Sequence, residues 1–402
     1  MTKSNNHENI ITDLLNESRL LLKKNIREYG MYIALVIIIT IFAITTKGIF
    51  ISPRNISTLL NQTGYIIVLA IGMTLIIVCK YIDLSVGFLA GFLGAVAAIF
   101  MTRYGLSEWI VIPIILILGT IVGIANGFMV GKLNIPAYVV SLAGMFIFRG
   151  LLLMVTQKTG TIVVPNKGFN SIGNDFIPDI VESENLHILT IILGAIAILA
   201  FIVSSVKGRN NKIKYEFEVL STPMFVIKLI FISLIIAYIS WILAGYNGLS
   251  WTVVICLIVI IIYHFITQKT SLGRHIYAVG GNGNAAELAG ISVKKITYIV
   301  FASMGMLSAL SGILFTSRLK SATTTAGTLF ELDAIASAFV GGASANGGAG
   351  KITGSVIGAL VMMSLTSGMN LMGVDISYQY AIRGAVLILA VFFDVTTRKK
   401  RT

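Results

Sequence analysis

Long apolar runs that carry almost no charge recur along most of this chain. Roughly 20 apolar residues are enough to cross a bilayer as a helix, and a helix satisfies its own backbone hydrogen bonds, which lipid cannot do. The runs do not alternate apolar and polar residues, as strands of a membrane barrel would. The sequence therefore predicts an all-α, polytopic helical membrane protein, from the runs 31–46, 64–79, 109–131, 187–206, 225–244, 250–266, 296–316, 352–372 and 384–393.

The composition excludes an ordinary soluble domain. Only 12% of the residues are charged and 56% are hydrophobic, whereas soluble domains carry about 25% charged residues. A single soluble core could not bury so much apolar surface, but lipid can cover it.

The net charge of +13 has two readings. One is nucleic-acid binding, and the other, which we favour, is the excess of Lys and Arg that membrane proteins place on the cytoplasmic side. With the N-terminus inside, 20 of the 30 Lys and Arg residues fall on inner segments, 7 on outer segments and 3 within spans. This asymmetry predicts that both termini are cytoplasmic.

The chain is predicted to hold about 10–12 membrane segments in one transmembrane domain, 29–395. A cytoplasmic amphipathic segment, 1–28, precedes this domain, and a basic tail, 396–402, follows it. The segments near 86–101 and 330–342 are short, so either could be re-entrant or broken, which would leave about ten full crossings. Glycines recur at similar spacing in the helices that follow 82 and 350, which suggests repeated halves or ordinary small-residue packing.

Two glycine-rich stretches imitate nucleotide sites. A P-loop needs Gly and Ser/Thr where GGASANGGAGKIT has Ala345 and Ile352, and GNGNAA (281–286) lacks the βαβ context of a dinucleotide site. The chain is therefore predicted to be no enzyme and to hold no cofactor, and any ATP hydrolysis must come from a separate subunit. The histidines and the two cysteines show no metal-ligand spacing, so no metal site is predicted.

The inner loop 268–295 is the most informative polar segment. Its glycines could bend the chain and start a short helix with Asn284 as N-cap and Gly290 as C-cap. An exposed helix with an Ala/Leu face could dock into a groove of a partner protein, and a solvated loop is the alternative. The candidate coupling residues are Gly280, Gly281, Gly283, Asn284, Ala285, Ala286, Glu287 and Gly290.

Polar side chains inside or beside the spans are candidates for a translocation path, because such groups are costly in lipid and face protein or water. In CKYIDLSVGFLAG (79–91), Asp83 and Ser85 could instead merely cap the helix that starts near Val86. Most such groups form packing hydrogen bonds, and spacing alone does not select the substrate contacts. The candidates are Asn61, Asp83, Ser85, Asn126, Arg149, Asn370 and Gln379.

Five segments, in this order along the chain, resemble the ribose/xylose/galactose permease family of ABC importers, most closely its xylose or multiple-monosaccharide branch. They cover nearly the whole chain: IDLSVG with its glycine helix (82–95), NIPAYVVSLAGMFIFRG (134–150), GRHIYAVGGNGNAAELAGISV (273–293), ELDAIASAFVGGASANGGAG (331–350) and QYAIRGAVLILAVFFD (379–394).

The resemblance implies a permease of the bacterial cytoplasmic membrane that pairs with a second permease copy. It also implies that 280–290 contacts an ATPase subunit holding ATP and Mg²⁺, and that an extracytoplasmic binding protein delivers a monosaccharide. Permeases for nucleosides or other small polar solutes are alternatives within the family. An ion-coupled secondary transporter would need a buried acid, for which Asp83 is the candidate, since Asp333 and Asp375 are expected at helix ends.

Overall fold

The computed structural model describes residues 26–157, 160–180 and 186–399. Within them the fold is all-α except for one short antiparallel ladder, which confirms the predicted class. The helices are α1 Ile26–Thr45, α2 Pro53–Val78, α3 Val86–Thr102, α4 Glu108–Gly131, α5 Ala137–Thr156, α6 Lys167–Asn174, α7 Ile188–Lys214, α8 Thr222–Ala244, α9 Trp251–Lys269, α10 Ser271–Gly281, α11 Gly283–Leu288, α12 Val293–Leu319, α13 Phe330–Val340, α14 Ile352–Leu371 and α15 Ile376–Lys399; a 3-10 turn covers Ile49–Ile51, and the strands are β1 Thr161–Val163 and β2 Ser321–Thr323.

The ends of the chain fall largely outside the described residues. Of the predicted amphipathic segment 1–28, only 26–28 are described, and they belong to α1. Of the predicted basic tail 396–402, residues 396–399 continue α15. These two domain boundaries stay predictions.

Among the described residues, eight helices are long and apolar enough to cross a membrane, and three shorter apolar helices accompany them. The helix α13 has 11 residues, about 16 Å at 1.5 Å per residue, and cannot cross a hydrocarbon core of about 30 Å. This length agrees with the expectation that 330–342 could be re-entrant or broken.

The chain forms two compact units. Of the described residues, the hairpin unit comprises 176–180 and 186–249 with 26–29 and 51–57, and the core unit comprises 30–50, 58–157, 160–175 and 250–399. In the hairpin unit, α7 and α8 pack against each other. Asp179 anchors the start of α7, because its carboxylate accepts hydrogen bonds from the backbone N–H of Ile188 (2.6 Å) and Leu189 (2.8 Å).

The core unit is built around α2, whose residues from Ile66 to Cys79 are almost completely buried. The helix α12 packs against α3 and α4, and α13 packs against α14 and α15. Glycines permit the closest of these approaches: a Cβ on Gly119 of α4 would lie 2.4 Å from the carbonyl oxygen of Gly305 on α12. Small residues at helix crossings are typical of membrane bundles, because they let two backbones touch.

Candidate functional site

The inner loop 268–295 folds as the helix pair α10 and α11. The glycines that were expected to allow a bend, Gly280, Gly281 and Gly283, flank the observed turn, because α10 continues through Gly281 and α11 begins at Gly283. The turn falls at Asn282, whose side chain accepts a hydrogen bond from the Ala285 backbone N–H (3.0 Å). Asn282 rather than Asn284 is therefore the N-cap of α11, and Asn284 lies within the helix. Both are asparagines at a helix start, so composition could not separate them.

The helix α11 ends where glycine was expected to end it. Gly290 has φ +82°, its N–H donates to the Glu287 carbonyl oxygen, and the Ile291 N–H donates to the Ala286 carbonyl oxygen, both at 2.9 Å. This pair of bonds is the Schellman motif, in which glycine supplies the left-handed residue just beyond the C-cap. The C-cap itself is Ala289, one residue earlier than predicted.

The predicted exposed Ala/Leu face of α11 is confirmed for Ala285 and Leu288 but not for Ala286. Ala286 is 4% exposed, whereas Leu288 is 91% exposed. Ala285 and Glu287 are also exposed. A lone, fully exposed leucine at the tip of a six-residue helix offers a partner an apolar anchor, and α11 turns its Ala286 side toward its own protein.

The end of α10 fits tightly against the end of α2. A Cβ on Gly280 would lie 1.8 Å from the Val78 carbonyl oxygen. The Lys80 ammonium group donates to the Gly281 carbonyl oxygen (3.2 Å). A glycine is therefore required at 280 because the backbone of α2 occupies the place of a side chain, and not because the chain bends there.

The glycine-rich turn between α13 and α14 joins the same contact. The Gly348 N–H donates to the Val78 carbonyl oxygen (2.8 Å), and the Tyr277 hydroxyl of α10 donates to the Gly350 carbonyl oxygen (2.6 Å). Hence α10, the end of α2 and the turn 341–350 form one continuous contact, which we call the inner joint. A displacement of α10 is passed on to both of the other segments.

A second cluster lies where α3 and α13 begin, and we call it the helix junction. A Cβ on Gly87 would lie 2.3 Å from the Glu331 Oε2 atom and 2.4 Å from the Gly327 carbonyl oxygen. A Cβ on Gly312 would lie 2.1 Å from the Ala90 carbonyl oxygen. Residue 312 lies past the middle of the 27-residue α12. Its neighbour Ala90 lies about one turn after the first residue of α3, so α3 begins beside the middle of α12. The helix junction therefore lies beside the middle of α12 rather than at either of its ends.

Acidic side chains line the helix junction. Glu331 is 5% exposed, and its Oε2 has no hydrogen-bond partner. Asp333 lies on α13 and pairs with Arg383 of α15, with 3.4 Å between Oδ2 and Nη1. The expectation that Asp333 lies at a helix end is confirmed, since it stands in the first turn of α13; its burial and its pairing with Arg383 were not predicted. Glu331 was missed altogether, although a Glu and an Asp within one apolar stretch were a readable signal.

Aromatic rings enclose the start of α13. The ring centroids of Tyr65 and Phe330 are 4.7 Å apart, and those of Phe315 and Phe330 are 4.9 Å apart. The Ser311 hydroxyl donates to the Tyr65 carbonyl oxygen (3.0 Å). Aromatic pairs at such distances contribute beyond their buried area, so this trio fixes the entry of α13 against α2 and α12.

Asp83 and Ser85 lie together just before α3. Asp83 is 2% exposed, and one of its carboxylate oxygens accepts from the Ser85 N–H (2.9 Å) and hydroxyl (2.6 Å). Ser85 occupies the N-cap position without a side-chain cap bond. The suggestion that these side chains cap α3 is therefore wrong; they bond to each other. Asp375, by contrast, does lie at a helix start, where hydrogen bonds from Ser377 lower its pKa.

The remaining path candidates are dispersed. Gln379 donates to Asn370 (2.8 Å) at the α14–α15 turn. Asn61 accepts a short hydrogen bond from Ser250, and Asn126 is buried in α4. Arg149 is exposed on α5, with its guanidinium 5.5 Å from the centroid of the Phe88 ring. Asp83 and Ser85 directly precede α3, and Arg149 contacts Phe88 in its first turn, so these three candidates lie close to the helix junction.

Comparison with known proteins covers nearly the whole chain. The chain is 39% identical over 377 residues to the xylose transport system permease protein XylH of Haemophilus influenzae, covering 94% of this chain and 98% of that protein. It is 36% identical over 376 residues to XylH of Escherichia coli K12, covering 94% and 93%. It is 33% identical over 383 residues to the ribose import permease protein RbsC of Escherichia coli K12, covering 95% and 98%.

No solved structure matches the chain. A family model described as the permease component of branched-chain amino acid transport systems matches residues 55–391. That range includes both the inner joint and the helix junction. The chain therefore belongs to this family of transport-system permease components.

Proposed function

We propose that this chain is the membrane-spanning permease subunit of a binding-protein-dependent ABC importer for a monosaccharide, of the xylose and other pentose class or galactose-like. The similarity to xylose and ribose permeases over most of the chain supports the substrate class. The apolar helices and the family place the chain as a multi-pass protein in the bacterial cytoplasmic membrane.

The observation that carries the proposal is the helix pair α10–α11 with the inner joint. Leu288 projects from the protein, while Gly280 packs directly against the α2 backbone. A partner that moves α11 thus pushes on α2 without an intervening flexible side chain. We assign this surface to the docking of a separate ATPase subunit, which binds ATP and Mg²⁺. In this proposal the permease itself has no catalytic activity.

The helix junction is the proposed site beside the sugar path. Interrupted helices flank the substrate path in many transporters, because freed backbone groups and helix ends can bind polar solutes there. Of the path candidates, Asp83 and Ser85 are favoured because they lie beside these interrupted helices. Glu331 is proposed as a further residue of the path. A second permease copy and an extracytoplasmic sugar-binding protein complete the proposed complex.

The alternatives are a permease for nucleosides or another small polar solute and an ion-coupled secondary transporter. The buried acids Glu331 and Asp333 are the observation that favours ion coupling, because such groups serve proton relays in pumps.

A reconstitution experiment separates these readings. Proteoliposomes are prepared with the chain, its ATPase subunit and its binding protein. ATP is enclosed inside them, and xylose, galactose or a nucleoside is added outside. We expect xylose uptake that needs ATP and the ATPase whatever the proton gradient. Uptake driven by a proton or sodium gradient without ATP would refute the ABC assignment. Uptake of the nucleoside alone would refute the assignment of a sugar as the substrate.

A further inference from the structure

An apolar groove runs between α7 and α8 in the hairpin unit. Its volume is about 450 Å³, and it is lined by Ile198 and Ile202 of α7 and by Val226, Leu234 and Ala237 among the α8 residues. Ser233 is the one polar lining residue. Ligand pockets in proteins span about 300–1,000 Å³, so the groove is large enough to hold part of a lipid chain.

A basic side chain lies at one end of this groove. Arg209 follows Ile202 by seven residues on α7, which is about two helical turns and therefore the same face. Its guanidinium lies 4.7 Å from the centroid of the Phe225 ring, and its Nη2 donates to the Thr222 hydroxyl (3.0 Å). Its Nη1 is buried and has no hydrogen-bond partner among the described residues. The protein thus orients this guanidinium and leaves one of its nitrogen atoms unpaired.

The charge around Arg209 complements an anion. Lys212 and Lys214 stand in the last turn of α7, and Lys207 precedes them. Glu216 and Glu218 are the acids of the 207–222 segment, so the segment is net basic. By the Lys/Arg asymmetry of the sequence, this end of the hairpin faces the cytoplasm.

We propose that the α7–α8 groove binds an anionic phospholipid of the inner leaflet, with an acyl chain along the groove and the phosphate at Arg209. Basic pockets between membrane helices on the cytoplasmic side are suited to acidic headgroups. Guanidinium groups bind phosphate through paired, charge-assisted hydrogen bonds. This proposal does not depend on what the protein transports.

Native mass spectrometry of the full-length chain tests the proposal. The purified protein is equilibrated with mixed micelles containing either phosphatidylglycerol or phosphatidylcholine, and the retained lipid is counted. We expect retention of phosphatidylglycerol in preference to phosphatidylcholine. Arg209→Gln should weaken phosphatidylglycerol retention about fivefold, the equivalent of about 1 kcal/mol per basic residue at a membrane surface, and Arg209→Lys should restore part of it.

Lys228→Gln is the matched control. Lys228 is an exposed cation on α8, and it lies two residues beyond Val226, about 200° around the helix and so off the groove. Its loss should leave phosphatidylglycerol retention unchanged. Ser233→Phe, which fills the groove, should reduce retention of both lipids without changing the thermal unfolding temperature.

Three results would overturn the proposal. The first is equal phosphatidylglycerol retention by the wild type and Arg209→Gln. The second is full competition by glycerol phosphate, which has the headgroup but no acyl chain. The third is efficient disulfide cross-linking of two copies through Ala237→Cys, which would show that a second chain occupies the groove.

Discussion

Replacing Gly280 with alanine should uncouple the helix pair α10–α11 from the rest of the protein. The new Cβ would lie 1.8 Å from the Val78 carbonyl oxygen, whereas real Cβ atoms essentially never approach closer than 3.0 Å. The end of α10 must therefore move away from α2 by roughly 1.2 Å, the difference between these two distances. Overpacking of this kind costs about 1–3 kcal/mol.

Gly281→Ala provides the matched control. It lies next in the same helix, yet a Cβ there meets nothing within 4 Å. Both substitutions gain the same helix preference of alanine over glycine, about 0.5–1 kcal/mol, so their difference reports the clash alone. The ratio of interest compares molecules in which α10 contacts α2 with molecules in which the two are separated. We expect the clash to lower this ratio by about 5- to 150-fold, the factor that corresponds to 1–3 kcal/mol.

The assay measures ATP hydrolysis and sugar uptake together in proteoliposomes with the partner ATPase. Gly280→Ala should hydrolyse ATP but import little sugar per ATP, and Gly281→Ala should behave as the wild type does. Thermal unfolding establishes that both variants are folded. Equal coupling ratios in the two variants would refute the role of the inner joint.

Two further perturbations follow from the same geometry. Leu288→Asp should weaken binding of the ATPase in a pull-down by about tenfold or more. Because Leu288 is 91% exposed, the unfolding temperature should not change. A fall in that temperature would contradict its docking role. Asp333→Asn should destabilise the protein by about 3–5 kcal/mol in thermal unfolding, because removing one partner of a buried ion pair leaves Arg383 without its acid. Asp333→Leu with Arg383→Leu should recover part of the loss. Equal losses in the single and double variants would contradict a net role for the pair.

Sequence reasoning found the membrane helices because hydropathy reports directly on lipid exposure. It also predicted the stop of α11, since a left-handed residue beyond a helix end favours glycine wherever the helix lies. These features are local, and neighbouring residues determine them.

The sequence misassigned features that depend on distant contacts. Gly280 was read as one of the glycines that allow a bend, although its need for glycine comes from Val78, some 200 residues earlier. Ala286 was assigned to the docking face, but packing of α11 onto its own protein buries it. Asp333 was expected at a helix end, where it does lie, but its pairing with Arg383, 50 residues further on, was not predicted. Periodicity contains no information on such pairs.

Cysteine labelling at Asn284 tests the central claim most directly. The native Cys79 and Cys256 are both buried, so they should react little with a labelling reagent. Asn284→Cys, in an exposed part of α11, introduces an accessible thiol. A membrane-impermeant maleimide should label this variant in inverted membrane vesicles and not in intact cells, and addition of the ATPase should protect it. Labelling in intact cells would place α10–α11 outside the cell and contradict the account.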